Sequence, residues 1–154
     1  MIHIGFTGSS SVITPVQEKM LEREMTEFIL EDVFLHHGDC VIGDAIADKI
    51  GRKLGFDIII HPPVNPRKRA FCKGRNTTIL PEKDYLVRDV DIVVASSVLI
   101  ACPETKYEVI RSGTWYTYRQ AKKRHLPIII IEPDGTVSHI DFNDIFRKLH
   151  DITV

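Results

Sequence analysis

The chain has 154 residues, 44% apolar and 27% charged, with a net charge of −1 and a pI of about 6.6. That size and apolar share suit one domain, over 1–154, with a core of its own, and the balanced charge excludes a single-sign field that would draw it to nucleic acid or an anionic membrane. No run reaches the roughly 18 apolar residues of a membrane span, and the apolar stretch in MIHIGFTGSS is too short for a secretion signal, so a cytoplasmic protein is expected.

In chain order, the first strand is expected over Ile2 to Phe6, running into Thr7-Gly8-Ser9-Ser10-Ser11. Thr14 can cap a helix that Pro15 opens, with Leu21, Met25, Phe28 and Ile29 on its buried face. A second strand, Val33 to His36, leads into HHGDCVIG. Asp44 is placed to cap the next helix, whose apolar side carries Ile46, Ala47, Ile50 and Leu54 and which Gly55 ends. The third strand is Phe56 to Ile60.

A polar, Pro-rich and basic passage follows, about 61–84, and a loop of that length inside a compact domain is usually functional or disordered. From Asp84 a short helix is expected to bury Leu86, Val90 and Val93. A fourth strand, Ser97 to Ala101, runs into Cys102-Pro103-Glu104. A helix from Gly113 to Arg124 and a strand from Ile128 to Ile131 complete the series, and a last helix can form from Asn143 to Leu149.

Continuously apolar strands alternating with amphipathic helices predict a Rossmann-like three-layer α/β fold, its mostly parallel sheet having about five strands. In such a sheet ligands bind outside the carboxyl ends of the strands. The unusual segments TGSSS, HHGDC, HPPVNPRKR, CPE and SGT all fall at that edge.

Each has a structural reading beside a functional one. Thr7, Gly8, Ser9 and Ser10 can surround a phosphate at a helix start, or form a tight turn. Ser112, Gly113 and Thr114 repeat that physics: Gly113 lets an anion approach the backbone, and Ser112 serves equally as a plain cap. Trp115 can stack on a base or pack in the core, and Tyr118 suits the core or a subunit contact. In HHGDC, with His37, Gly38 and Asp39 at the ligand edge, Asp39 can accept from a ribose or base, while Gly38 and Gly43 shape the loop. The histidines, aspartate and cysteine there lack paired metal-ligand spacing, so neither a metal nor a cofactor is expected. Cys40, Cys72 and Cys102, odd in number and far apart, read as reduced thiols. His61 and Pro62 begin the long loop, in which Arg67 and Arg69, with Arg88 beyond, are either a solvated charge run or phosphate contacts that close over an anionic ligand.

This combination resembles the SLOG superfamily, Rossmann-like domains that include DNA-processing protein A and the LONELY GUY enzymes. The resemblance runs through about residues 1 to 135: IGFTGSS, HHGDCVIGDAIADKIGRKLG and SGTWYTYRQAKKRHLPIIIIEPDG. The last is similar to an S-G-[ST]-x-x-T-x-x-x-A stretch, matched by Ser112, Gly113, Thr114, Thr117 and Ala121. It implies nucleotides, nucleotide-derived signals or single-stranded DNA at the strand ends, and a homo-oligomer. The phosphoribohydrolases of the group carry P-G-G-x-G-T-x-x-E. Here Gly113-Thr114 match its G-T, Thr117 stands at the glutamate, and the paired glycines are absent.

The expectation is therefore a protein that binds a nucleotide or a nucleotide-derived small molecule of ADP-ribose or cyclic nucleotide type, as a sponge or sensor. The alternative is an N-glycoside hydrolase with Asp39 or Glu104 as its carboxylate and His36, His37 or His61 as an acid. Single-stranded DNA binding is the weakest reading, because a near-neutral chain neutralises few phosphates.

Overall fold

The computed structural model describes residues 1–143; the helix expected from Asn143 to Leu149 lies, beyond Asn143, outside the described residues. Among these, four helices and seven strands alternate: β1 (Ile2–Gly8), α1 (Pro15–Thr26), β2 (Val33–His37), α2 (Gly43–Lys53), β3 (Asp57–Ile60), β4 (Thr77–Ile79), α3 (Tyr85–Ala95), β5 (Val98–Cys102), α4 (Gly113–Lys123), β6 (Ile128–Ile131) and β7 (Val137–Ile140). They form one sheet in the order β4-β3-β2-β1-β5-β6-β7. All neighbours pair in parallel except β6 with β7. The chain builds outward from β1 to β4, then returns beside β1 with β5. The switch in direction lies between β1 and β5, where a sheet of this kind opens a crevice.

The expected three-layer α/β class is present, with two more strands than the five expected. β4 lies inside the long loop, and β7 pairs along the other edge. Both are short and neither is fully buried. Edge strands have only one face or less to bury, so their sequences lack the apolar run that marks an inner strand.

Period-two alternation divides the core. Ile2, Ile4, Phe6, Leu35, Ile58 and Ile60 face Leu21, Met25, Ala47 and Ile50 of α1 and α2. Leu99, Ala101, Ile128 and Ile130 face Val93, Trp115, Tyr118 and Ala121 of α3 and α4. Burial of such side chains contributes roughly 1.5–3 kcal/mol each before entropy is counted.

The start of α1 follows its sequence. Thr14 caps it and, with Gln17, completes a reciprocal capping box. The helix stops at Thr26, so Phe28 is buried from the following turn, whereas Ile29, expected inside, is half exposed. The expected inner face of α3 is corrected more sharply. Leu86 is exposed, and the helix turns Arg88, Asp89, Ile92 and Val93 inward. A helix reading that seeks apolar residues misses a stripe whose inner positions hold an ion pair.

Candidate active-site cleft at the strand ends

A cleft of about 600 Å³ opens at the carboxyl edge of the sheet. Its walls are the end of β1 with residues through Ser11, the turn after β2, the long loop, α3, and the segment from Glu104 to the start of α4. It therefore sits at the switch between β1 and β5.

Two glycines let its parts meet. A Cβ on Gly43 would stand 2.7 Å from the Ser9 carbonyl oxygen, so α2 can rest against the end of β1 only with glycine there. The Gly43 amide donates to that same oxygen at 2.9 Å. A Cβ on Gly38 would strike the guanidinium of Arg88, which crosses the turn at that point.

Arg88 is the hub. It is 7% exposed and donates from Nε to Asp89 at 2.6 Å, to the carbonyls of Gly38 and of His61 (3.1 Å), and towards the Cys40 thiol. Burial works against its charge, but Asp89 and Asp44 outweigh that and push its pKa up. Burial raises the Asp89 carboxyl to about 6 against the opposing pull of Arg88. It raises Asp44 too. The sequence placed Asp44 as the cap of α2, but it lies inside the first turn and caps nothing there. Its carboxylate turns back and accepts from the amides of Gly38 (3.1 Å) and Cys40 (3.0 Å), fixing the β2 turn.

The two anion cradles expected from sequence differ. The loop after β1 spends several of its amides on itself and its neighbour: the Ser9 amide goes to Cys102, and the Ser11 and Val12 amides both go to the Ser9 hydroxyl at 3.0 Å. It does not open α1 either, since α1 begins at Pro15 with its own box. The start of α4 is open. Ser112 caps it through Trp115, while the Gly113 and Thr114 amides point from the first turn at the cleft, and a Cβ on Gly113 would meet nothing within 4 Å. Arg67, Lys68 and Arg111 add positive charge around the mouth.

Of the residues singled out in the sequence, Thr7, Gly8, Ser9, Ser10, Gly38, Arg67, Arg88, Glu104, Ser112, Gly113 and Thr114 do line this cleft. Six do not. Asp39 is fully buried, and its two carboxylate oxygens take Arg69 Nε and the Cys72 amide, both at 2.9 Å. Arg69 is thus committed to Asp39 and lies over the Phe71 ring, away from the cleft. His37 is fully buried between the Asp39 amide, which donates to Nδ1, and Asp48, which accepts from Nε2. Pro62 is buried, its carbonyl accepting from Lys83. Trp115 is 4% exposed, edge-on to Tyr118 and donating from Nε1 to Thr105, which rules out its stacking on a base in the cleft. His61 lines a separate cavity of about 330 Å³ behind Arg88.

His61 also ends a row of imidazoles across three strands. His3 meets His36 at 2.8 Å, and His36 meets His61 at 2.9 Å. Burial and the neighbouring imidazoles lower His36 to about 3, and burial lowers His61 to about 4, so both stay neutral at pH 7. Among the described residues, ligand atoms of His37, Asp48 and Cys72 come within 4.8 Å of one another. The Asp39 amide fixes the His37 tautomer, so its Nε2 carries the proton given to Asp48, and no imidazole lone pair faces the group.

Lys68, from the basic run of the long loop, is on the cleft as well, and the residues that sequence reasoning missed are Asp89, Arg111 and Tyr85.

No protein-family model matches the sequence, and a search of curated proteins finds no relative. Solved structures do match. The molybdenum cofactor binding protein of Rippkaea orientalis is 21% identical, with a TM-score of 0.64 over 97% of this chain and 85% of its own. The molybdenum cofactor carrier protein of Chlamydomonas reinhardtii is 20% identical, with a TM-score of 0.59 over 84% of this chain and 75% of its own. DNA processing protein A of Streptococcus pneumoniae is 12% identical, with a TM-score of 0.64 over 84% of this chain and half of its own, 50%. No helix among the described residues is long and apolar enough to cross a membrane. The order of the strands, the cleft at the switch between β1 and β5 and these structural neighbours agree with the motifs read from the sequence: the chain has the fold of the SLOG superfamily.

Proposed function

We propose that the protein binds a nucleotide-derived small molecule in the cleft, with a phosphate resting on the first turn of α4, and acts by holding that ligand as a sponge or sensor. The observation that carries this reading is the start of α4: two unpartnered amides at the positive end of a helix, on a cleft rimmed by Arg67, Lys68 and Arg111. A cleft of about 600 Å³ is of the size that encloses a small ligand. Two structural neighbours are described as molybdenum cofactor proteins, which favours a phosphate-bearing heterocycle as the class of ligand.

Hydrolysis of an N-glycosidic bond is the second reading. Of the two carboxylates assigned to it from sequence, Glu104 is on the cleft and Asp39 is spent on Arg69 and Cys72. DNA processing protein A keeps a third reading in the test, that of single-stranded DNA.

The experiment is incubation of the purified protein with nucleoside monophosphates, ADP-ribose, cyclic nucleotides, molybdenum cofactor and an oligonucleotide, followed by heat denaturation and chromatography. A compound withdrawn by folded protein and returned intact supports a binder. Release of a free base supports the hydrolase. Retention of the oligonucleotide alone, or of nothing, overturns the proposal.

A further inference from the structure

Asp89 is a carboxyl that the binding reading leaves without a task. It sits on the inner stripe of α3, 7% exposed, on the wall of the cleft. Burying a charged pair is costly. A carboxylate offers about four acceptor positions. Arg88 Nε fills one at 2.6 Å, which fixes the group's orientation and leaves acceptor capacity.

Thr117 links it to the start of α4. The Thr117 hydroxyl donates to the Gly113 carbonyl at 2.9 Å, so it lies one turn along α4 from the open amides. Thr117 stands beside Asp89, so the carboxylate meets a ligand next to the anion seat on the same cleft. A second phosphate would be repelled there. The neighbouring part of the ligand must be neutral and must donate hydrogen bonds, and the sugar hydroxyls next to a 5′-phosphate meet both requirements.

No other carboxyl competes for that role. Asp39 is outside the cleft, Asp44 is bound to the Gly38 and Cys40 amides, and Glu104 is exposed at the rim. We propose that Asp89 reads the sugar: its carboxylate accepts from the ribose hydroxyls of a ligand whose phosphate rests on α4, so the site takes ribonucleotide-type ligands and rejects their deoxy forms. This rests on the nucleotide-binding reading above and adds the class of sugar to it.

The groups facing Asp89 are Arg88 on its own helix, Asp44 from α2 and Thr117 from α4. With burial and Asp44 raising the carboxyl to about 6, and Arg88 and Thr117 opposing, it is ionised at pH 7.5 and protonated in half of the molecules near pH 6. Selection for ribose fades as pH falls through that range.

The test is calorimetric titration of the full chain with AMP and GMP, each against its 2′-deoxy and 3′-deoxy form. At pH 7.5 the ribo form is expected to bind about tenfold tighter or more, the range for a hydrogen bond to a charged group. Asp89→Asn is expected to bring the two near parity while still binding, and the wild type at pH 5.5 to lie between. Equal binding of ribo and both deoxy forms by the wild type overturns this inference and leaves the nucleotide site standing. Undiminished selection in a folded Asp89→Asn also overturns it. If no member of either set binds, this inference falls, and the wider ligand panel above decides the binding proposal separately. The wild-type comparison decides the matter even if the variant does not fold.

Discussion

Gly38 shows how one missing side chain organises the site. The guanidinium of Arg88 fills the space a Cβ would take, and from there it reaches the Gly38 and His61 carbonyls, Asp89 and Cys40. Gly38→Ala should displace Arg88, cost about 1–3 kcal/mol by overpacking and weaken ligand binding, read by denaturant melts and titration. Arg88→Lys should fare no better, because an ammonium cannot reach the same partners from one planar group. The sequence marked Gly38 and Arg88 as site residues. It could not reveal that they touch, since they are fifty positions apart and meet only across the turn after β2. Asp89 was hidden for a related reason: an acid beside an arginine on a helix is usually solvated, and only the rotation of α3 turns this one inward.

At the scale of elements, the long loop is the clearest case. Its basic residues suggested a flap over a ligand, yet Asp39 ties it to the body through Arg69, the Cys72 amide and an accepting backbone carbonyl for Ala70. Asp39→Asn should release this segment, with faster proteolysis within 61–84 and weaker ligand binding through displaced Arg67 and Lys68. Unchanged cleavage kinetics would show the tether to be dispensable. The imidazole row gives a second test. In the folded protein His36 and His61 hold out against protonation to about 3 and 4, whereas an unfolded histidine takes a proton near 6.5. The histidines therefore contribute an acid loss: their share of stability falls as pH drops below about 6.5, by on the order of 1–2 kcal/mol per histidine at pH 5. Asp89, raised to about 6, acts in the opposite sense between about pH 4 and 6, because the folded state keeps a proton that the unfolded chain releases. Asp44, also raised by burial, acts in the same sense as Asp89, so the test reads the histidine contribution by removing it. His36→Asn should flatten the acid limb of thermal stability measured from pH 7 to 5, whatever its effect at pH 7; an unaltered slope would show that the row does not titrate on unfolding.

For the whole molecule, the resemblance implied a homo-oligomer, with Trp115 and Tyr118 as local support. Both are committed to the chain's own core. The outward side of α3 instead leaves Leu86, Val87 and Val94 exposed, a better apolar surface for a second copy. Light scattering should give about twice the 17.6 kDa of one chain, and Val94→Glu should return it to one; a wild-type mass of one chain would leave the expectation without support.

What the sequence determined by itself is whatever depends on neighbours along the chain. Runs such as IIII at 128–131, the Thr14-Pro15 start and the Ser112 cap specify inner strands and helix ends through burial and local hydrogen bonds. They were enough to place a parallel sheet and to bring the site to its carboxyl edge. Tertiary structure alone decided which way each polar side chain is spent. Asp39 and Asp89 are the same residue type in the same region, but one accepts Arg69 and a backbone amide and is lost to the interior, while the other faces a cleft. That choice depends on groups far away in the chain, because a buried carboxylate takes whichever donors the fold brings to it.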